Sequence, residues 1–209
     1  MKSGIDFYFD FISPYGYLAA TQVEAIAAAH RRALRWRPFL LGVTVVQVMG
    51  LKPLAQTPLK SDYIRIDKPR MAALLGVPLA SPDMDRVNSL AAARAFYWLE
   101  DRDAAMAVAF AKRVLHRLWV EGRDITPLDA VAEEAVHVGA DIGELADALA
   151  TQAPKNRLRD EVDAAIARGV FGSPFFIVDE QPIWGVDRLW MLEHWLTHGR
   201  WQADSRVLA

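Results

Sequence analysis

Two short segments carry residue types that can do chemistry. The first is Phe11-Ile12-Ser13-Pro14-Tyr15-Gly16-Tyr17, with a serine where a strand-like run gives way to helical spacing. A helix starting there aims free backbone N–H groups and its positive end at whatever sits beside the Ser13 hydroxyl. Serine followed by proline also reads as a plain N-cap, a common way to open a helix. The second is Gly169-Val170-Phe171-Gly172-Ser173-Pro174-Phe175-Phe176, with a proline at the head of a buried-type strand. Proline cannot donate to a sheet ladder, so a cis Ser173-Pro174 bond is the expected way to seat it. Such a turn would leave the Ser173 backbone N–H and C=O open to an extended, peptide-like ligand. An ordinary strand-entry proline is the plainer reading. His194 and His198, beside Glu193, have metal-ligand spacing, but with no third ligand in the sequence pattern they read as solvated helix residues, and no metal is expected.

The elements that must hold these segments are legible from periodicity. Residues 5–11 are aromatic and β-branched between Gly4 and Ser13-Pro14, a strand. Tyr15, Leu18, Ala19, Val23, Ile26 and Ala27 recur at helical spacing, which predicts one helix from Ser13 to about His30. A second strand over residues 34–41 completes a βαβ unit. From Gly42 to Pro154 the chain is rich in alanine and leucine and predicts helices only, with amphipathic ones over residues 104–120 and 128–138. A helix over 158–168, a strand over 175–178, a turn at Glu180-Gln181, a short strand over 182–184 and a closing helix from Asp187 end the reading. Terminal pieces of about 40 residues are too small to stand alone, so the ends must fold together. The predicted class is α/β: one discontinuous unit of residues 1–43 and 156–209, with an inserted helical unit of residues 44–155.

Composition removes whole classes of function. The 209 residues include no cysteine, which excludes disulfides, a cysteine nucleophile, iron–sulfur clusters and thiolate zinc sites. Any thiol chemistry must use a thiol from another molecule. With 24 basic against 26 acidic residues there is no global positive field for nucleic acid, and Arg31, Arg32, Arg35 and Arg37 read as a solvated strand edge. No apolar run approaches membrane-spanning length, and Met1-Lys2-Ser3-Gly4 does not open a signal peptide, so a cytoplasmic protein is expected.

Taken together, S-P-Y-x at a helix start, a helical block, and G-V-F-G-x-P before two short strands resemble the DsbA-like thioredoxin fold. Within it the chain is similar to the 2-hydroxychromene-2-carboxylate isomerases and the kappa-class glutathione transferases. R-P-F-L-L-G from Arg37, P-L-K from Pro58, V-N-S-L from Val87, L-W-V-E-G-R-D-I from Leu118 and W-G-V-D-R-L from Trp184 extend the resemblance over essentially the whole length. It implies a thioredoxin-like fold with a large all-helical insertion, a homodimer, glutathione as cofactor and a small aromatic substrate. Redox relatives carry C-x-x-C where this chain has Ser13-Pro14-Tyr15-Gly16, so disulfide exchange by the protein itself is excluded.

Carried over by residue, the resemblance makes Ser13 catalytic, facing the glutathione thiol. Ser173 and cis-Pro174 would pair with the glutathione backbone, and Asp187 and Arg188 would bind its γ-glutamyl end. Lys60 would also contact glutathione, while Tyr15, Arg37 and Asn88 would line the substrate pocket. Lys60 and Arg37 are both candidates for a substrate carboxylate. Many relatives carry G-N-x-P where this chain has Gly50-Leu51-Lys52-Pro53, so an asparagine contact is missing here. Ser13 is expected to act as a hydrogen-bond donor, since no histidine lies near either motif to serve as base for a serine nucleophile. A kappa-like transferase and a non-catalytic, peptide-binding thioredoxin-fold protein are the alternatives.

Overall fold

The computed structural model describes residues 4–85 and 87–202; the first three and last seven positions of the expected discontinuous unit lie outside these. A four-stranded mixed sheet runs in the order β2-β1-β3-β4. β1 (Ile5–Phe9) pairs in parallel with β2 (Leu34–Pro38) and antiparallel with β3 (Phe175–Val178), which pairs antiparallel with β4 (Gln181–Trp184). Both ends of the chain therefore build one sheet, as the thioredoxin-like reading requires. Every residue of β1 is buried. Phe7 and Phe9 stack on one another and meet Trp36 edge-on, and Phe7 also stacks on Phe176, with ring centroids 5.1–5.4 Å apart. That aromatic cluster fixes register, because a one-residue slip would turn it to the other face.

The helices are α1 (Pro14–Ala20), α2 (Val23–Ala29), α3 (Lys60–Leu75), α4 (Leu90–Glu100), α5 (Ala104–Trp119), α6 (Leu128–Val136), α7 (Ile142–Ala150), α8 (Ala153–Ala167) and α9 (Leu189–His198). As predicted, the described residues between β2 and β3 contain no strand. They open with a π-helical turn, Gly42–Val48, and none of the described helices is long and apolar enough to cross a membrane.

Several boundaries differ from the sequence reading, each for a local reason. The single helix predicted after Ser13 is two, because the Thr21 hydroxyl donates to the Leu18 carbonyl and Gln22 N–H reaches back only to Ala19, tightening the chain at residues 21–22. α8 starts earlier than expected, with Pro154 in its first turn. The β3–β4 turn is Asp179-Glu180, both at positive φ, a two-residue hairpin geometry that makes Gln181 the first residue of β4. A short 3₁₀ turn, Val186–Arg188, precedes α9.

The arginines of β2 do not form a solvated edge. Asp6 on β1 has a side chain only 3% exposed and accepts from Arg35 at 2.6 Å and Arg168 at 2.7 Å, with Arg37 at 3.5 Å. Burial raises the Asp6 pKa, but these bonds outweigh it and hold the carboxyl below its ordinary 3.8. Folding thus favours the ionised form; the contribution is complete above 3.8 and is lost as pH falls through the lower folded-state value. Asp6→Asn is expected to cost about 2–3 kcal/mol near neutral pH, less than a fully buried pair since Arg35 and Arg168 are partly in water. Urea denaturation of both proteins, stepped into the acid range, should show that difference closing.

Candidate active site at the end of β1

The site is built where β1 runs out. Asp10 donates its N–H to Ser173 Oγ at 3.0 Å and accepts the Ser13 N–H on its carbonyl at 2.9 Å. Its buried carboxylate accepts from Leu41 N–H at 2.8 Å and Ile12 N–H at 3.2 Å, and bonds the Ser89 side chain. Burial pushes the Asp10 carboxyl above its ordinary range despite those bonds. One residue thereby fixes the β1–α1 turn, the loop before Pro174, the chain after β2 and the start of α4.

Ser13 caps α1, its Oγ accepting from Gly16 N–H at 3.0 Å, and it is only 4% exposed. The Ser173-Pro174 bond is cis, as predicted. The expectation that both Ser173 backbone groups are open is corrected on one side: the Ser13 hydroxyl donates to the Ser173 carbonyl at 3.2 Å. The Ser173 N–H has no partner among the described residues. In the first turn of α1, Pro14 has no N–H and Gly16 is bonded to Ser13 Oγ, leaving the Tyr15 N–H without an acceptor among the described residues. The Ser13 hydroxyl and two open N–H groups are thus the donors of the site.

Gly16 is held by contact. A Cβ there would stand 2.7 Å from Ser173 Oγ and 3.2 Å from the Asp10 carbonyl, so only glycine lets α1 approach the cis-proline loop.

α3 packs against α1 and brings further groups. Tyr15 Oη donates to Asp67 at 2.5 Å, and Tyr63 Oη donates to the other Asp67 oxygen at 3.1 Å. Burial, then the Asp67 bond and the nearby Asp187 charge, hold the Tyr15 phenol protonated far above its usual range. Lys60, Tyr63 and Asp67 share one face of α3 by helical spacing, and Lys60 itself is exposed at the helix's first position. Asp187 and Arg188 sit in the exposed turn before α9, with Arg188 Nη1 3.2 Å from Asp187 and donating to the Trp184 carbonyl at 3.2 Å.

Two expected pocket residues are placed elsewhere or otherwise used. The Arg37 guanidinium is held by Asp6 at 3.5 Å and Glu161 at 3.4 Å, on the sheet face of Asp6 and Tyr8. The Asn88 carboxamide oxygen accepts from Leu90 N–H at 3.2 Å, capping α4 one residue from Ser89. Leu51 is 52% exposed. Sequence reasoning missed Asp10 and Asp67. Asp10 left a trace, a carboxylate in an apolar strand three residues before the cap; Asp67 left none, since α3 carries charges all round. Among the described residues no cluster of metal-ligating side chains occurs.

Comparison with known proteins agrees with this geometry. The family model described as DSBA-like thioredoxin domain matches residues 4–197. The 2-hydroxychromene-2-carboxylate isomerase of Pseudomonas putida is 32% identical over 192 residues, covering 90% of this chain and 92% of that protein. Glutathione S-transferase kappa 2 of Caenorhabditis elegans is 27% identical over 198 residues, 88% of each chain. The chain belongs to this family of isomerases and kappa-class transferases. A solved 2-hydroxychromene-2-carboxylate isomerase superposes with a TM-score of 0.82 at 31% identity, covering 91% of this chain and 92% of that one. In the DsbA-like frame of the family, Ser13-Pro14-Tyr15-Gly16 stands at the helix start and Ser173-cis-Pro174 faces it.

Gly→Ala inside a helix usually gains about 0.5–1 kcal/mol. At Gly16 the sign should reverse: overpacking against Ser173 Oγ is expected to cost about 1–3 kcal/mol. Denaturant midpoints of Gly16→Ala, Ser173→Ala and the double variant test this, since removing Oγ should recover part of the Gly16→Ala loss as a coupling between neighbours.

Proposed function

We propose that the protein is a glutathione-dependent cis-trans isomerase of the 2-hydroxychromene-2-carboxylate isomerase type, acting in aromatic-compound degradation. The observation that carries this reading is the Ser13 hydroxyl at a helix start, set against a cis-proline loop whose Ser173 N–H is open, in a chain without cysteine. The residues present fit glutathione: an N–H beside a cis-proline suits the carbonyl of an extended peptide, and a hydroxyl with the Tyr15 N–H suits an anionic sulfur. Lys60, Asp187 and Arg188 supply charges of both signs for its carboxylates and ammonium. When bound, glutathione supplies a thiolate that adds reversibly to an alkene conjugated with a ketone, so that the bond can rotate before elimination.

What the chain's own residues must do is hold that sulfur ionised. A free thiol has a pKa near 8.5, and lowering it by two units takes about 2.7 kcal/mol. α1 is seven residues long, and its exposed-end contribution is about 0.3–1 kcal/mol. A charge-assisted bond from the Ser13 hydroxyl adds about 1.5–3 kcal/mol, which brings the sum into range. To make that bond the hydroxyl turns away from the Ser173 carbonyl while Gly16 N–H keeps its oxygen in place.

The reading carries with it a cytoplasmic homodimer. A kappa-like transferase is favoured as the second reading by the named kappa relative, and shares the same site.

Ser13→Ala should raise the pKa of the bound glutathione thiol by about 1–2 units, followed as thiolate absorbance against pH. An unchanged pKa would sink the donor role. Turnover of 2-hydroxychromene-2-carboxylate only when glutathione is added separates isomerase from transferase, which should instead consume glutathione with an activated aryl chloride. No retention on immobilised glutathione would leave the peptide-binding reading.

A further inference from the structure

Two basic side chains, Lys68 on α3 and Arg94 on α4, are partly buried and form no ion pair among the described residues, and burial lowers the pKa of each. Lys68 has a definite place. It follows Asp67, which grips Tyr15 on α1, and its Nζ lies 6.0 Å from the centroid of the Trp119 ring. Trp119 is buried and donates its indole N–H to the Phe11 carbonyl at 2.8 Å, two residues before Ser13. Asp67 and Lys68 therefore reach the β1–α1 corner together, one through Tyr15 and the other over the indole that supports Phe11. At 6.0 Å the indole face is at the outer limit of a useful cation–π contact, so it replaces little of the water that the ammonium gives up. A partly buried ammonium without an anion costs free energy, and a ligand carboxylate would supply what is missing.

We infer that Lys68 binds the carboxylate of the substrate that reacts at the Ser13 site, an aromatic or conjugated acid. This deepens the proposed isomerase reading and rests on it for the reaction, though the binding claim stands by itself. Two residues of suitable charge are less well placed. Arg37 already serves Asp6 and Glu161, so a substrate carboxylate would have to compete with two anions. Lys60 is exposed at the first position of α3, where water already satisfies its ammonium. Arg94 has a buried Nε without a partner among the described residues, and no hydrogen bond or ring contact among them ties it to the β1–α1 corner.

Lys68 is a single interaction point, a compact ammonium that selects for charge more than for shape. It would anchor one end of the acid and leave the rest to be positioned by the site around Ser13. The carboxylate itself takes no part in bond making, so Lys68 acts as a specificity residue.

The test is calorimetric titration of the wild-type protein, Lys68→Met, Lys68→Arg and Arg94→Met with salicylate and with its uncharged analogue salicylamide, without glutathione. Wild type should bind the carboxylate about tenfold or more tightly than the amide, a difference of ~1.4 kcal/mol. Lys68→Met should lose that preference while leaving salicylamide binding unchanged; Lys68→Arg should keep most of it. Because Lys68→Met keeps the stem and removes an unpaired charge, its melting temperature should not fall, whereas a merely structural lysine would leave the preference intact. Equal preference in wild type and Lys68→Met, loss of it in Arg94→Met instead, or no preference in wild type overturns the inference. Failure of wild type to turn over 2-hydroxychromene-2-carboxylate with glutathione, with the preference intact, would instead overturn the isomerase reading.

Discussion

Everything at the site depends on one join, the pairing of the end of β1 with the loop before Pro174. Asp10 N–H to Ser173 Oγ and Ser13 Oγ to the Ser173 carbonyl link residues 163 and 160 positions apart. Closing a flexible loop of that length costs about 4.5 kcal/mol of chain entropy beyond the constant. Two side chain–backbone bonds, each worth about 0.5–1.5 kcal/mol net, do not offset that alone. The β1–β3 ladder does most of it, since Phe7, Phe9, Phe175 and Phe176 are all buried and contribute about 1.5–3 kcal/mol apiece. The polar join thus comes after the apolar one in importance for stability, and its effect is to set where Ser13 and Ser173 stand relative to each other.

The parts of this arrangement that were legible in the sequence are those with local causes. Ser13-Pro14 announces a helix start because cap chemistry needs only neighbouring residues, and Pro174 at the head of an apolar strand announces a special peptide bond for the same reason. What escaped depends on packing. The capture of Arg37 by Asp6 follows from the parallel register that sets Tyr8 beside Arg37, and register is decided by the sheet as a whole. The break at Thr21 depends on which carbonyl its hydroxyl chooses, and nothing in the periodicity of residues 15–27 forbids a continuous helix. Asp67 and Lys68 lie in a segment, K-S-D-Y-I-R-I-D-K-P-R, whose charges fall on every side of the helix. Its buried face cannot be picked out until α1 is seen against it.

The two carboxylates of the first strand show how surroundings assign roles to one residue type. Asp6 and Asp10 are both buried, yet they differ in what compensates them. Asp6 has three guanidinium groups, so its charge is kept and used to tie β1 to β2 and α8. Asp10 has only dipoles, two backbone N–H groups and a serine hydroxyl, so burial wins and its pKa rises. Asp10 stands directly behind the β1–α1 turn, its carbonyl accepting the Ser13 N–H. Its carboxyl oxygens hold the turn in shape by accepting the Leu41 and Ile12 N–H groups.

Gly16 gives the missing cysteines a physical meaning. A C-x-x-C motif at this helix start would carry its second thiol at position 16, and a side chain there needs space on the side facing the cis-proline loop. Here that space is filled by Ser173 Oγ, 2.7 Å from where the Cβ would be. The oxygen is fixed in turn by Asp10 N–H, so it cannot swing aside without breaking the join that places Ser13. Restoring a thiol at position 16 would therefore require a different residue at 173 as well. Dithiol chemistry is closed to this protein by packing as well as by composition. The same packing sets a hydroxyl, a helix start and an open peptide N–H beside one another.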